Sequence, residues 1–327
     1  AGLLKTNIDG SGGSLSAAML EDYETAPGNR GLLLLEADEL NRLVVERDAA
    51  GFQIGIHTIG DRANRLILDA YAAAREANGE RDARHRVEHA QFITDEDVPR
   101  FAELGVIASM QPCHLLTDMR WAPAILGPER EAEGYRWRSL LDAGARLAFG
   151  TDFPVEPIDP FRGLYASLSR EFEVGGPEGG WVPEEKIDID QAIVAYTRDA
   201  AYAEFEDHRK GTLAPGMLAD LIVLSDDLRS LPPAELLDVK VERLFMQRMK
   251  NRWRSCNPGA RTIRLNTELA KKPAECLEYI VVHELVNLLE PTHSARFVAL
   301  MDRFMPKWQF YREELNRLPV RSENWIY

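Results

Sequence analysis

Residues 52–79, FQIGIHTIGDRANRLILDAYAAAREANG, decide the fold because they contain both halves of one repeating unit. The run 52–57 is short and largely apolar, which predicts a buried strand. In 61–78 the apolar residues recur at intervals of three and four, which predicts an amphipathic helix. A strand that leads directly into a helix is the building unit of a parallel α/β sheet.

The same alternation extends over the first two thirds of the chain. Four further runs predict strands: LLKTNI (3–8), HRVEHA (85–90), VIASMQ (106–111) and RLAFGTD (146–152). The segment 37–51 predicts another helix. A turn rich in proline and glycine then precedes a strand at Leu221 to Leu224, outside this rhythm. We therefore expect an α/β layer with a small β element beside it.

Charge divides the chain into two modules. The 327 residues carry a formal net charge of −14, which argues against a uniformly basic nucleic-acid binder. Residues 1–240 hold 24 basic and 43 acidic residues, whereas 241–327 hold 15 and 10. In the second module, 261–266 predict a strand and 277–289 and 294–305 predict helices. We expect domains at 1–240 and 241–327, the latter a small α+β module.

Cysteine content and hydropathy place the chain in the cytoplasm. Three cysteines, Cys113, Cys256 and Cys276, are too few and odd in number for a disulfide framework. Its apolar runs are too short or too interrupted to cross a bilayer, so no membrane partner is expected. The sequence begins AGLLK without a methionine or a signal peptide, from which we expect a processed, truncated or recombined product.

Chemically versatile side chains close four of the five predicted strands: Lys5, His57, His89 and Asp152. Parallel strands bring their carboxyl ends to one face, where barrel enzymes hold their active sites. Neutral imidazoles suit zinc, and a carboxylate can bind the metal or accept a proton from water whose pKa the metal lowers toward ~7. The pattern predicts a divalent metal site, with zinc as the favoured ion, for hydrolysis.

Other residues in this module have weaker patterns. His114 follows the strand at 106–111 and is a further candidate to line the pocket, whereas His85 and His208 lack the strand-end position. The glycines of DGSGGS (9–14) are compatible with a phosphate-binding loop, although a plain strand-to-loop turn explains them more simply.

Three motifs resemble the YtcJ-like branch of the amidohydrolase superfamily: IHTIGDRAN (56–64), RVEHAQ (86–91) and LAFGTDFPV (147–155). The resemblance covers residues 1–240. It implies a (β/α)8 barrel with a β-sandwich and metal-dependent hydrolysis of amide or related C–N bonds. By the same resemblance, Lys5 corresponds to a carboxylated metal-bridging lysine, His57 and His89 to metal ligands and Asp152 to the catalytic aspartate.

The sequence departs from that family in one respect that concerns the metal. The family has an HxH pair on its first strand, and this chain has none. Only five of the eight barrel strands are recognisable, which leaves strand edges unpaired and makes a homo-oligomer that covers the open edge a reasonable expectation. We expect a single metal held by Lys5, His57 and His89, with Asp152 as the base.

A second metal-site pattern lies in HELVNLLEPTH (283–293). His283 and residue 287 share one face of a helix, Glu284 lies beside them and His293 follows. In the HExxH motif two histidines hold zinc and the glutamate is the general base. Here the second histidine is replaced by Asn287, a poorer zinc ligand. Residues 247–327 resemble the C-terminal half of YgjP-like (SprT-like) zinc metallopeptidases, from which Arg254, in place of a small residue, also departs.

These patterns lead to one principal prediction and two alternatives. The principal prediction is a cytoplasmic metal-dependent hydrolase of a small-molecule amide, with esters or lactones as further substrates. One alternative is a zinc peptidase that uses Glu284, His283 and His293. The other is a catalytically inactive fusion that acts as a binding protein.

Overall fold

A computed structural model describes residues 2–214, 216–218, 220–247, 253–257, 262–266, 269 and 272–318. Its strands are β1 (Leu3–Asn7), β2 (Gln53–Thr58), β3 (Arg86–His89), β4 (Ile107–Met110), β5 (Arg146–Phe149), β6 (Val223–Leu224), β7 (Val241–Gln247), β8 (Arg254–Asn257) and β9 (Thr262–Asn266). Its α-helices are α1 (Ala37–Ala49), α2 (Asp61–Asn78), α3 (Val98–Leu104), α4 (Pro112–Asp118), α5 (Ala122–Leu126), α6 (Trp137–Asp142), α7 (Phe161–Ser169), α8 (Ile189–Tyr196), α9 (Arg198–Ala203), α10 (Ala274–Leu289), α11 (Ala295–Phe304) and α12 (Trp308–Arg317).

The chain forms two compact units. The first contains residues 1–207 and 228–238, and the second contains 208–227 and 239–327. The division at 238/239 lies close to the expected boundary at 240/241, but the segment 208–227 groups with the second unit. The reason is that β6, within that segment, pairs antiparallel with β7 of the second unit.

The first unit contains a parallel sheet in the order β1-β2-β3-β4-β5. Every neighbouring pair is parallel, so all five strands point their carboxyl ends to the same edge. The register places Asn7 opposite His57 and Thr58 opposite His89. The α/β architecture and the five predicted strands are thereby confirmed.

Burial explains why these runs form strands and helices. From Gln53 to Ile56, β2 is buried at every residue, as expected for an inner strand of a parallel sheet. Helix α2 buries Ile67 and Leu68 together with Tyr71, whose hydroxyl donates a hydrogen bond to the Arg86 carbonyl oxygen over 2.8 Å. The apolar face of α2 thus packs where the sequence periodicity predicts.

Strand β1 lies at one edge of the sheet. Its residues are exposed except for the half-buried Thr6, and the side chains of Leu3 and Leu4 are 37% and 36% exposed. Among the described strands, β1 pairs only with β2.

The second unit contains a mixed sheet in the order β6-β7-β9-β8, in which β7 and β9 are parallel. Its core contains Leu265 of β9 and residues from helices α10, α11 and α12, among them Ile280, Met301 and Trp308. The helices predicted at 277–289 and 294–305 are confirmed as α10 and α11. Arg261, expected to begin the strand at 261–266, lies outside the described residues. None of the described helices combines the length and apolar character needed to cross a membrane.

Candidate active site

The four strand-end residues lie around one pocket at the carboxyl edge of the parallel sheet. The pocket has a volume of about 410 Å³, and its lining includes Lys5, His57, His89 and Asp152. Lys5 is the third of the five residues of β1, so the prediction that it closes this strand is wrong, although it still lines the pocket. His57 is the last but one residue of β2, His89 is the last residue of β3, and Asp152 lies in the turn after β5. The parallel register therefore brings together side chains that are far apart in sequence.

The loop after β1 orients His57. Nε2 of His57 lies 3.0 Å from the Gly10 carbonyl oxygen. A carbonyl oxygen only accepts, so Nε2 carries the proton and Nδ1 keeps the lone pair that a metal ion requires. Behind it, the buried Asp9 lies 3.8 Å from Nε2 and accepts hydrogen bonds from the backbone of Ala18 and Gly60. Burial raises the pKa of Asp9 to about 6 despite these hydrogen bonds.

The residue that follows β4, Gln111, orients His89. Nδ1 of His89 lies 2.6 Å from Oε1 of Gln111, and Gln111 Nε2 donates to the Ser109 carbonyl oxygen. His89 therefore donates from Nδ1 and presents Nε2 as its lone-pair nitrogen. Burial is the main reason that the pKa of His89 is lowered to about 3, and the nearby His57 and His114 lower it further. The ring is neutral at physiological pH, which is the state that binds metals.

The backbone at the end of β3 and in the turn after β5 adopts left-handed conformations. His89 and the following Ala90 have φ angles of 76° and 47°, and Asp152 has a φ of 56°. Such angles cost free energy for residues other than glycine and cluster at functional sites. Aspartate tolerates this region better than most side chains, which suits Asp152 to its turn.

Helix α4 adds residues that the strand-end pattern missed. His114 and Asp118 are four positions apart on α4, and both line the pocket. Nε2 of His114 is buried and makes no hydrogen bond within the part of the chain that is described. Asp118 accepts hydrogen bonds from Gln91 and from the hydroxyl of Tyr135, yet burial raises its pKa to about 6. His114 was already a candidate from the sequence, and its i, i+4 spacing to Asp118 is the signal that would have found Asp118.

Trp121 forms one wall of the pocket against the glycine loop. A β-carbon on Gly12 would lie 2.5 Å from Cη2 of Trp121, whereas one on Gly13 would meet the same ring only at 3.5 Å. Gly12 therefore permits close packing of the indole, and the loop serves as a strand-to-loop turn.

The fit of this pocket to a divalent metal depends on Lys5. Among the residues described, no three His, Cys, Asp or Glu side chains form a metal-binding group, so His57, His89 and Asp152 do not complete one by themselves. Lys5 lines the same pocket. A carbamate on Lys5 would add the carboxylate oxygens that the two imidazoles lack. With that group, the pocket would offer two imidazole nitrogens and a carboxylate to one divalent ion.

The second predicted site lies in the second unit and has a different arrangement. His283 and Glu284 are buried on α10, and the His283 and His293 ring centroids are 5.0 Å apart. The Arg254 guanidinium, from β8, forms an ion pair with Glu284 and a 3.0 Å hydrogen bond with Nε2 of His283. Nδ2 of Asn287 lies 2.9 Å from Nδ1 of the same histidine. These contacts are not those of a zinc site.

The fold and the first pocket define a class of protein: an α/β enzyme scaffold with a histidine-rich site at the carboxyl ends of its strands. Residues 1–247 match the profile of the amidohydrolase family, and the chain belongs to that family. Residues 231–318 match the YgjP-like metallopeptidase domain. Both resemblances expected from the sequence are thereby confirmed.

Individual relatives agree with this assignment. Protein LONG AFTER FAR-RED 3 of Arabidopsis thaliana is 42% identical over 68% of this chain and 38% of its own length. The putative amidohydrolase YtcJ of Bacillus subtilis is 30% identical over 73% of this chain and 45% of its own length. The N-substituted formamide deformylase of Arthrobacter pascens is 28% identical over 71% of this chain and 42% of its own length.

A solved structure shares the fold at comparable similarity. A metal-dependent hydrolase from Pyrococcus horikoshii is 30% identical, with a TM-score of 0.63 over 70% of this chain and 45% of that chain. The chain thus spans less than half the length of each of these relatives.

Proposed function

We propose that the chain hydrolyses an amide or a related C–N bond of a small molecule, with the help of one divalent metal ion bound in the pocket of the first unit. The observation that carries the proposal is the convergence of Lys5, His57, His89 and Asp152 around that pocket. Membership of the amidohydrolase family and similarity to a metal-dependent hydrolase support it.

The residues that would hold the ion are His57 through Nδ1, His89 through Nε2 and Lys5 as its carbamate. Zinc is the ion we favour, because imidazole nitrogens with a few oxygen ligands suit it. A bound divalent ion lowers the pKa of water and polarises a carbonyl group. Gln111 and the Gly10 carbonyl hold the two imidazoles in the required tautomers.

Asp152 is the residue we propose as general base and then general acid. It accepts a proton from the attacking water while the water oxygen bonds to the substrate carbonyl carbon. It then delivers that proton to the nitrogen as the C–N bond breaks, so the products are a carboxylic acid and an amine. The same proton transfers serve an ester or lactone, where an alcohol oxygen leaves instead.

The substrate class can be narrowed by the pocket and by one relative. A volume of about 410 Å³ suits a small molecule. Because one relative is an N-substituted formamide deformylase, N-formyl amines are the first compounds to test. Longer N-acyl amines, which have the same bond with a larger acyl group, follow as a graded series.

The experiment compares the purified full chain with an Asp152→Asn variant on this series after loading with zinc or manganese. The proposal expects turnover by the parent and a loss of about 10²- to 10⁴-fold in kcat for the variant. Equal rates for parent and variant would remove Asp152 from the mechanism. No turnover of any compound by the metal-loaded parent would favour the alternative of an inactive binding protein.

The open edge at β1 supports the further proposal that two copies associate. Pairing of β1 with another strand would satisfy its outer backbone groups and cover Leu3 and Leu4. Sedimentation velocity at micromolar concentration tests this directly. A dimer that a charged substitution at Leu4 converts to monomer supports it, whereas a monomer at all concentrations contradicts it.

A further inference from the structure

The guanidinium of Arg254, which belongs to β8, contacts the two residues of α10 at which the sequence predicts a metal ion. It contacts both residues that begin the HExxN motif, as an ion pair with Glu284 and as a 3.0 Å hydrogen bond to Nε2 of His283. In the HExxH motif the histidine binds zinc and the glutamate acts on water. Here one positive side chain contacts both groups.

Neighbouring side chains contact both ring nitrogens of His283. A guanidinium only donates, so Nε2 is engaged by Arg254. Nδ1 lies 2.9 Å from Nδ2 of Asn287, an amide nitrogen that donates, and 3.2 Å from Oε1 of Glu284. Neither nitrogen presents a free lone pair to a metal ion, because Arg254 lies against one and Asn287 against the other.

Burial explains why Glu284 needs this partner. The Glu284 side chain is 0% exposed, and that of Arg254 is 26% exposed. A carboxylate removed from water is strongly destabilising unless a charge or several hydrogen bonds compensate it. Arg254 supplies that charge from β8, and Asn287 Nδ2, 3.3 Å from Oε1 of Glu284, adds a hydrogen bond. The charge of Glu284 is thus compensated through Oε1 without a metal, although its Oε2 is buried and makes no hydrogen bond among the described residues.

We propose that Arg254 replaces the zinc ion as the cation of this site, so that the second unit holds no metal there and does not cleave peptides. The donor set does not fit zinc for two independent reasons, the arginine on His283 and the amide at position 287. Restoring one histidine is therefore insufficient, since Arg254 would still engage Nε2 of His283.

The first test measures zinc bound per full chain after equilibrium dialysis, for the parent, Asn287→His, Arg254→Ala and the double variant. Differences between variants isolate this site from the pocket of the first unit. The proposal expects no change for either single variant and one additional equivalent for the double variant. An additional equivalent in Asn287→His alone, or none in the double variant, would overturn it.

A His283→Ala variant of the otherwise unchanged chain provides a complementary measurement. If Arg254 is the cation, its zinc content equals that of the parent. A loss of one equivalent would mean that the parent binds zinc through His283, which contradicts the proposal.

A stability measurement tests the role of Arg254 and does not depend on metal loading. Urea unfolding of Arg254→Ala is expected at a lower midpoint than that of Arg296→Ala, which removes an exposed arginine on α11. Adding Glu284→Gln to Arg254→Ala should recover part of the loss, because the buried charge is gone. Equal midpoints for the two arginine variants would contradict the proposal. If Arg254→Ala does not fold, recovery of a folded protein by the added Glu284→Gln supports it, and failure to recover opposes it.

Discussion

The imidazole rings of His57 and His89 lie 4.6 Å apart between centroids, at an interplanar angle of 70°. They occupy adjacent parallel strands, and separate hydrogen bonds orient them through Gly10 and Gln111. Under the proposed function, these two imidazoles, each held by its own hydrogen bond, would donate to one ion.

Replacing either histidine should therefore abolish tight metal binding. We expect His57→Asn and His89→Asn each to weaken zinc binding by at least about 100-fold, because an amide oxygen is a poorer ligand than imidazole. Competition with a chromogenic chelator measures this affinity.

His208→Asn, a change outside the pocket, is the matched control and should bind as the parent does. Parent-like affinity in both strand-end variants would contradict a shared metal site at His57 and His89.

Asp152 should be replaceable by asparagine without loss of fold. Its φ of 56° is tolerated by asparagine and strained for branched residues. Asp152→Asn should unfold at a midpoint close to that of the parent, whereas Asp152→Val should lose about 1–3 kcal/mol. Urea unfolding followed by circular dichroism measures both variants, and equal stability of the two would argue against backbone strain at this turn.

The two loop glycines that face Trp121 should respond differently to the same change. A methyl group on Gly12 would collide with the indole and displace this wall of the pocket, whereas one on Gly13 makes ordinary contact. We expect Gly12→Ala to raise KM by about 10-fold with a smaller effect on kcat, and Gly13→Ala to leave both unchanged. Steady-state kinetics with the best substrate measure kcat and KM for both variants. Identical effects of the two variants would exclude Trp121 as a wall that contacts the substrate.

Asp118 should make the stability of the first unit depend on pH. Burial raises its pKa from 3.8 to about 6, so the folded state favours the protonated carboxyl. The free energy of folding that the protonated Asp118 carboxyl contributes is complete below pH 3.8 and is lost as the pH rises through about 6. Asp118→Asn, which keeps an acceptor for Tyr135 and Gln91, should therefore stabilise the fold by about 2–3 kcal/mol at pH 7.5 and by little at pH 4.

Denaturant unfolding of parent and variant across this pH range measures the difference. A variant that is less stable than the parent at pH 7.5 would show that Asp118 is ionised at no cost in the folded protein.

Local pattern was sufficient to predict the sheet and the strand-end residues. Strand and helix periodicity around His57 identified the βα unit, and parallel pairing made it foreseeable that Lys5, His89 and Asp152 would meet. Those inferences needed only the period of the apolar residues and the rule that parallel strands end at one edge.

Residues whose role depends on non-local contacts were not predictable in the same way. Gln111 matters because it contacts His89, and Trp121 matters because Gly12 lies under its ring. The substitution at Arg254 was visible in the sequence, but its contact with His283 comes from the packing of β8 on α10. Such contacts are set by tertiary geometry, which periodicity does not encode.

Anomalous diffraction from crystals of the zinc-loaded full chain, recorded on both sides of the zinc edge, tests the central claim most directly. The account predicts one strong peak within bonding distance of His57 Nδ1 and His89 Nε2, together with density for a carbamate on Lys5. An occupied zinc peak elsewhere in the chain, with none between these two imidazoles, would contradict it.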